Sequence, residues 1–328
     1  EPIGLLFDQP TEDNALLTYV AWCPGNLRFD KSLGKYVDLL MCRADHYDTV
    51  NAGLYITYID PKTYEATTLV PVVFNDANGN ALDIKGALNF IILDDGTYWM
   101  TNEHDNSVYE YTSNDYGVTW IEGNTVTGLQ VGSPWGMYVL SNGRYICMTD
   151  WALYPIFYSD DKGKTWSSVS PDRTGITDNT GEGLDVAEAC FLELEPGFIM
   201  AIARKNLHGV GYAVSGESDH ALIAYSEDYG TTWTAWKESE SLDDMNAASA
   251  TGFVHDGVVE IFTASRWWTL NSNANINYTN TGKSGAITHY SATVENAKAD
   301  KFTKNGIVAY SNGSAKRGAE DFHCPCIA

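Results

Sequence analysis

Short apolar runs alternate along this chain with isolated turn glycines, and the alternation repeats. Gly34, Gly96, Gly143, Gly197 and Gly257 each sit between two runs rich in strand-forming residues, the pattern of a β-hairpin. The clearest case spans Ala187 to Arg204. An apolar run opened by Glu188 leads to a turn at Pro196-Gly197, and a second apolar run closes on Arg204. The two ends of an antiparallel hairpin lie together, so Glu188 and Arg204 are expected side by side, facing solvent.

Each second run ends in polar or charged residues: Arg43 to His46, Asn102 to His104, Asp150-Trp151, Arg204-Lys205 and Arg266-Trp267. A loop, a third run, a polar turn and a fourth run follow. Three of the polar turns share one pattern, Ser-x-Asp-x-Gly-x-Thr-Trp, at Ser113–Trp120, Ser159–Trp166 and Ser226–Trp233. Asp and Ser side chains can bond backbone groups within such a turn, Gly supplies a positive φ, and the Trp packs beneath. Worn versions are expected near Asp60 and Ser291.

The unit is therefore a four-stranded antiparallel sheet repeated five times at roughly 45–60 residues, the spacing of β-propeller blades. The expected fold is an all-β propeller forming a single domain over 1–328. Residues 1–20 serve as a closing strand, and blades begin near 21, 86, 133, 187 and 248. A further first strand opens at 322, which favours six blades with the last incomplete over a closed ring of five.

Composition narrows the partners. Twenty Tyr, ten Trp and 29 Gly in 328 residues suit many short strands and tight turns. A net charge of −23 argues against nucleic acid or an anionic membrane surface as partner. No apolar run reaches the roughly 18–20 residues of a membrane span. The first residue is Glu rather than Met, so the chain is expected to be processed or cut from a longer one. Cys23, Cys42, Cys147, Cys190, Cys324 and Cys326 fall mostly among apolar neighbours, which favours buried free thiols and folding in a reducing cytoplasm.

In a propeller the first strands line the central channel, so first-strand starts and second-strand ends share one rim. Trp22, the stretch from Ser133 to Trp135, Glu188 and His323 come from strand starts. Arg43, Asp45, His46, Glu103, His104, Asp150, Trp151, Arg204, Arg266 and Trp267 come from strand ends. Such a rim suits carbohydrate: Trp faces stack on sugar rings, carboxylates move protons, and arginines grip a carboxylate bidentately. Each residue also has a structural reading. Glu188 can bond a neighbouring backbone, Arg43 can pair with Asp45, Arg266 can stack on Trp267, and His104 and His323 can be ordinary rim residues. No metal-ligand spacing stands out, and no cofactor is expected.

The three Ser-x-Asp-x-Gly-x-Thr-Trp turns resemble the Asp-box of the sialidase-type propellers. The hairpin from Glu188 to Arg204 is similar to the sialidase hairpin that carries a Glu and an arginine of the carboxylate clamp. Phe253–Arg266 looks like the next hairpin with its own clamp arginine. Trp22-Cys23-Pro24 stands where sialidases carry Arg-Ile-Pro, and no Tyr stands near Cys324, where the nucleophile would belong. A Glu with two arginines and no tyrosine resembles the phage tailspike endosialidases. The resemblance implies an endo-acting hydrolase of an acidic polysaccharide or cell-surface glycan, with Glu188, Arg204, Arg266 and Asp45 in the catalytic group. It implies an extracellular or virion-associated protein, trimeric if part of a tailspike. A glycan-binding propeller without activity and a polysaccharide lyase are the alternatives.

Overall fold

The computed structural model describes residues 19–21, 27–43, 52–84, 89–129, 134–149, 156–174, 176, 185–206, 220–245, 249–265 and 286–310. They form five sheets in chain order, each built on antiparallel strands, the blades of an all-β propeller. The expected opening of a sixth blade at 322 lies outside the described residues.

Blade one contains Lys35–Arg43, Ala52–Ile59 and Val70–Pro71, and its inner edge is shared by Tyr19–Ala21 and Leu27–Asp30. Tyr19–Ala21 pairs with Met41 to Arg43, and Leu27–Asp30 pairs with Lys35 to Asp38. Blade two runs Ile91–Ile92, Tyr98–His104, Ser107–Ser113, Thr119–Thr125. Blade three runs Pro134–Val139, Tyr145–Thr149, Ile156–Ser159, Ser167–Val169, and blade four Asp185–Glu195, Phe198–Asn206, Leu222–Ser226, Lys237–Glu238. Blade five is Ala250–His255, Val258–Ser265, Ala286–Thr293 and Thr303–Tyr310.

The core consists of seams between blades. Leu39, Ile56, Tyr98 and Trp120 join blades one and two, and Ile91, Trp99, Met137 and Phe157 join two and three. Ile146, Phe191 and Ile199 join three and four, while Met200, Ile202, Ile261 and Tyr290 join four and five. Alternate residues of one strand thus enter opposite seams: Ile199, Ala201 and Ala203 face blade three, whereas Met200 and Ile202 face blade five. A strand buried on both faces has no polar side, which is why Phe198–Ala203 reads as one unbroken apolar run.

The three Ser-x-Asp-x-Gly-x-Thr-Trp turns have one geometry. In blade three the Ser159 hydroxyl donates to Asp161 Oδ1 (2.8 Å) and accepts from Gly163 N (2.8 Å). Asp161 Oδ1 accepts from Thr165 N (2.8 Å), and Trp166 Nε1 donates to Gly163 O (2.9 Å). Gly163 is left-handed, and a Cβ there would lie 2.4 Å from the Trp99 ring of the preceding blade. Trp120 and Trp166 are buried; Trp233 is only half-buried against the seam of blades three and four.

One local expectation needs correction. The stretch near Ser291 is no worn turn: a short helix, Val294–Lys298, joins the last two strands of blade five, capped by the Thr293 hydroxyl, which accepts from Asn296 N. After blade one the chain forms a hairpin, Val73–Asn75 with Ala81–Leu82. Its first strand runs parallel to Thr119–Thr125 and widens blade two to six strands. Near Asp60 the carboxylate does hold a turn, accepting from Lys62 N and Thr63 N. Cys147 and Cys190 are free and buried, and burial pushes the Cys190 thiol up to about 12.

Bonds from the Thr165 hydroxyl and the Thr165 N–H hold the Asp161 carboxyl down at about 2. Its folded value lies below its unfolded one, so this contribution is complete above about pH 4 and fades as pH falls towards about 2. Asp161→Asn is therefore expected to be less stable than the parent near neutral pH. The gap in urea midpoint should close as the acid range is entered.

Candidate active site

Blade four supplies the site through a break in its own register. Asp185 pairs with Asn206 and Ala187 with Arg204, but then Cys190 pairs with Ile202, one residue out of step. The extra residue is a β-bulge, and Glu188 within it is left-handed, with φ 53°. Blade three has the same slip between Trp135 and Tyr138, and there the left-handed residue is Gly136, φ 59°. Glycine is the residue that conformation favours. Blade four holds a Glu in it at a backbone cost of about 1–3 kcal/mol.

The bulge turns the Glu188 side chain into a buried polar cluster. Arg204 Nη1 donates to Glu188 Oε1 at 2.6 Å, and the Ser249 hydroxyl donates to Oε2 at 2.5 Å. Glu188 is 6% exposed, Arg204 8% and Ser249 0%. Arg204 is placed by the hairpin register, whereas Ser249 comes from blade five, where its carbonyl accepts from Ala264 N (3.3 Å). The expected pairing of Glu188 with Arg204 is present, but not facing solvent; the bulge and the start of blade five cover it. A cation and a hydroxyl both bond the ionised carboxyl, so the resting state of Glu188 is a carboxylate.

The cluster lies opposite the Ser-Asp-Gly-Trp turns. Ile199, next to the Pro196-Gly197 turn, pairs with Ser226, and Tyr229 N donates to Gly197 O at 3.1 Å. Glu188 and Arg204 stand at the other end of the same strands, with first strands of successive blades in contact beside them.

Other rim candidates fall elsewhere. His104 ends the second strand of blade two and turns outward: its Nδ1 lies 3.2 Å from Glu122 Oε2 on the fourth strand, which also accepts from the Tyr111 hydroxyl at 2.9 Å. Glu103 is half-buried, and its N–H donates to Asn102 Oδ1 (2.8 Å). The backbones of Arg43 and Trp135 are in strands, pairing with Tyr19 and Met148. Trp22, Asp45, His46, Asp150, Trp151, Arg266, Trp267 and His323 lie outside the described residues.

Two residues escaped the sequence reading. Ser249 belongs to no motif. Arg28, on the first strand of blade one, donates through Nε to Phe90 O (3.0 Å) and through Nη2 to Met137 O (3.0 Å) and Asn89 Oδ1 (3.3 Å). One guanidinium thereby ties the inner edges of three blades. Among the described residues no cluster of His, Cys, Asp and Glu could hold a metal ion.

No family model matches the sequence, and no curated protein is similar to it in sequence. Solved structures are similar in fold. The NanB sialidase of Streptococcus pneumoniae superposes with a TM-score of 0.56 at 13% identity, over 92% of this chain and 62% of that one. A protein of unknown function from Dyadobacter fermentans gives 0.51 at 16%, over 84% and 94%. An α-L-arabinanase of Penicillium chrysogenum gives 0.50 at 13%, over 86% and 80%. The likeness is one of fold, an all-β propeller, and the chain spans less than two thirds of the NanB chain.

Removing Arg204 alone would leave the buried Glu188 carboxylate without the Arg204 guanidinium. Arg204→Met is expected to cost about 3–5 kcal/mol in chemical denaturation. Adding Glu188→Gly removes the stranded charge and relaxes the left-handed backbone, so the double variant should recover most of that loss. A strong coupling between the two positions in the double-mutant cycle is the expected sign.

Proposed function

We propose that this chain is a glycan-active propeller, a sialidase-like, endo-acting glycoside hydrolase that cuts an acidic polysaccharide outside the cell. The observation that carries the reading is Glu188: a buried carboxylate held in a left-handed bulge where the neighbouring blade uses glycine. Strain of this kind persists where the side chain is needed. The likeness to glycan-acting propellers in fold is consistent with it but fixes no activity.

In this reading Arg204, with Arg266, grips the carboxylate of a sugar unit. The incoming carboxylate competes with Glu188 for the Arg204 guanidinium. As Arg204 turns to the substrate, Glu188 loses its cation and its proton affinity rises. A group that rests as a carboxylate is thereby able to carry a proton to the leaving oxygen once substrate is bound, and to take one from water afterwards. Asp45 or Asp150 assists at the rim. A second reading, a glycan-binding propeller without turnover, is favoured by the closeness of the Glu188–Arg204 contact in the resting structure.

Incubation with a panel of acidic bacterial polysaccharides, scored for binding and for chain shortening, separates the two. The parent should shorten one of them without a product absorbing in the near ultraviolet, the mark of a lyase. Glu188→Gln should bind as the parent does and lose about 10²–10⁴-fold in turnover. Cleavage at the parent rate by Glu188→Gln would remove Glu188 from the chemistry; binding without cleavage by the parent itself would establish the second reading.

Competition for Arg204 has its own signature in pH dependence. The alkaline limb of kcat reports the proton donor of the enzyme–substrate complex and that of kcat/KM the donor of the free enzyme. The kcat limb is expected at the higher pH.

A further inference from the structure

Two of the contacts that hold Glu188 differ in origin. Arg204 belongs to the same hairpin and sits at the end of a strand. Ser249 is 61 residues away in sequence, comes from the next blade, and is fully buried. Its backbone is fixed by pairing to Ala264, so its hydroxyl approaches Glu188 from a rigid support.

A carboxylate that trades its arginine for substrate needs a second anchor. Without one, a side chain on a strained backbone would leave its rotamer when the guanidinium moves away. We infer that Ser249 is a positioning residue for Glu188: its hydroxyl holds Oε2 while Arg204 is engaged by the substrate, leaving Oε1 to exchange the proton. The inference rests on the proposed role of Glu188. Its consequence is that the site is built across the seam of blades four and five, not by the hairpin alone.

The hydrogen bond makes a claim that does not depend on turnover. Ser249 donates to the charged form of Glu188, so removing the hydroxyl must make the carboxyl easier to protonate. The test is a ¹³C NMR titration of side-chain carboxyl carbons, with the Glu188 signal identified by its loss in Glu188→Gln, run beside steady-state kinetics on the polysaccharide cut by the parent. In Ser249→Ala the midpoint of the Glu188 titration should rise by roughly one pH unit, the size of one hydrogen bond to a charged group. The alkaline limb of kcat/KM should move with it, and kcat should fall about tenfold or more at unchanged KM. Ser249→Thr, which keeps a hydroxyl, should restore the midpoint and the rate.

An unchanged midpoint in Ser249→Ala overturns the inference, as does a shifted midpoint with parental kcat and pH profile. A parent that cuts no polysaccharide overturns the hydrolase reading and the positioning role with it. The titration then still decides whether the Ser249 contact governs Glu188, so the two failures stay distinct. Ser249→Ala opens no large cavity; should its melting temperature drop sharply, Ser249→Cys, a weaker donor of similar size, carries the same titration with an intermediate rise expected.

Discussion

Every blade of a propeller has two faces to cover, and the chain has only other blades to cover them with. That constraint sets the composition of the strands. Where both faces enter a seam, as in Phe198–Ala203, no position along the strand is left for a polar side chain. Some of the polar groups that do enter are satisfied across the seam. The Tyr98 hydroxyl donates to Asp30 Oδ2 at 2.6 Å, and the Ser239 hydroxyl to Asp300 Oδ1 at 2.5 Å. Burial alone would raise the Asp30 carboxyl, yet bonds from Ser32, Tyr98 and Leu33 outweigh it and lower it. Buried polar groups with partners of this quality fix how one blade sits on the next.

Glu188 departs from that economy. It adds a left-handed non-glycine backbone and a buried charge to a strand whose neighbours Ala187, Ala189 and Cys190 are all buried and apolar. Local rules are broken here twice within one residue, and such breaks gather where a molecule works rather than where it is merely held together. Lys205, the next residue along from Arg204, shows the ordinary alternative. It reaches Glu238 Oε1 on the outer strand at 2.8 Å and leaves the seam undisturbed.

The parts of this architecture carried by short-range chemistry were readable in the chain. Ser159, Asp161, Gly163 and Trp166 satisfy one another within eight residues, so their spacing alone predicts the turn. The Glu188–Arg204 contact followed from hairpin register. Its burial did not, because the one-residue slip of a bulge leaves no mark when the residue involved is not glycine. The Val73–Asn75 strand was not readable either: three residues that pair in parallel with a strand more than forty positions later have no periodicity of their own. Ser249 and Arg28 act through partners 61 and 62–109 residues away, and a lone Ser or Arg carries no hint of such contacts.

Gly136 and Glu188 occupy matching bulges, but they are not independent. A Cβ on Gly136 would lie 2.2 Å from the carbonyl oxygen of Ala189, the residue that follows Glu188. The glycine of one blade is the socket in which the strained turn of the next is seated. Any side chain there would push on the backbone that aims Glu188, without ever meeting a ligand. In a survey of random variants Gly136 would therefore score beside Glu188 itself, an inert position made indispensable by the shape of its neighbour.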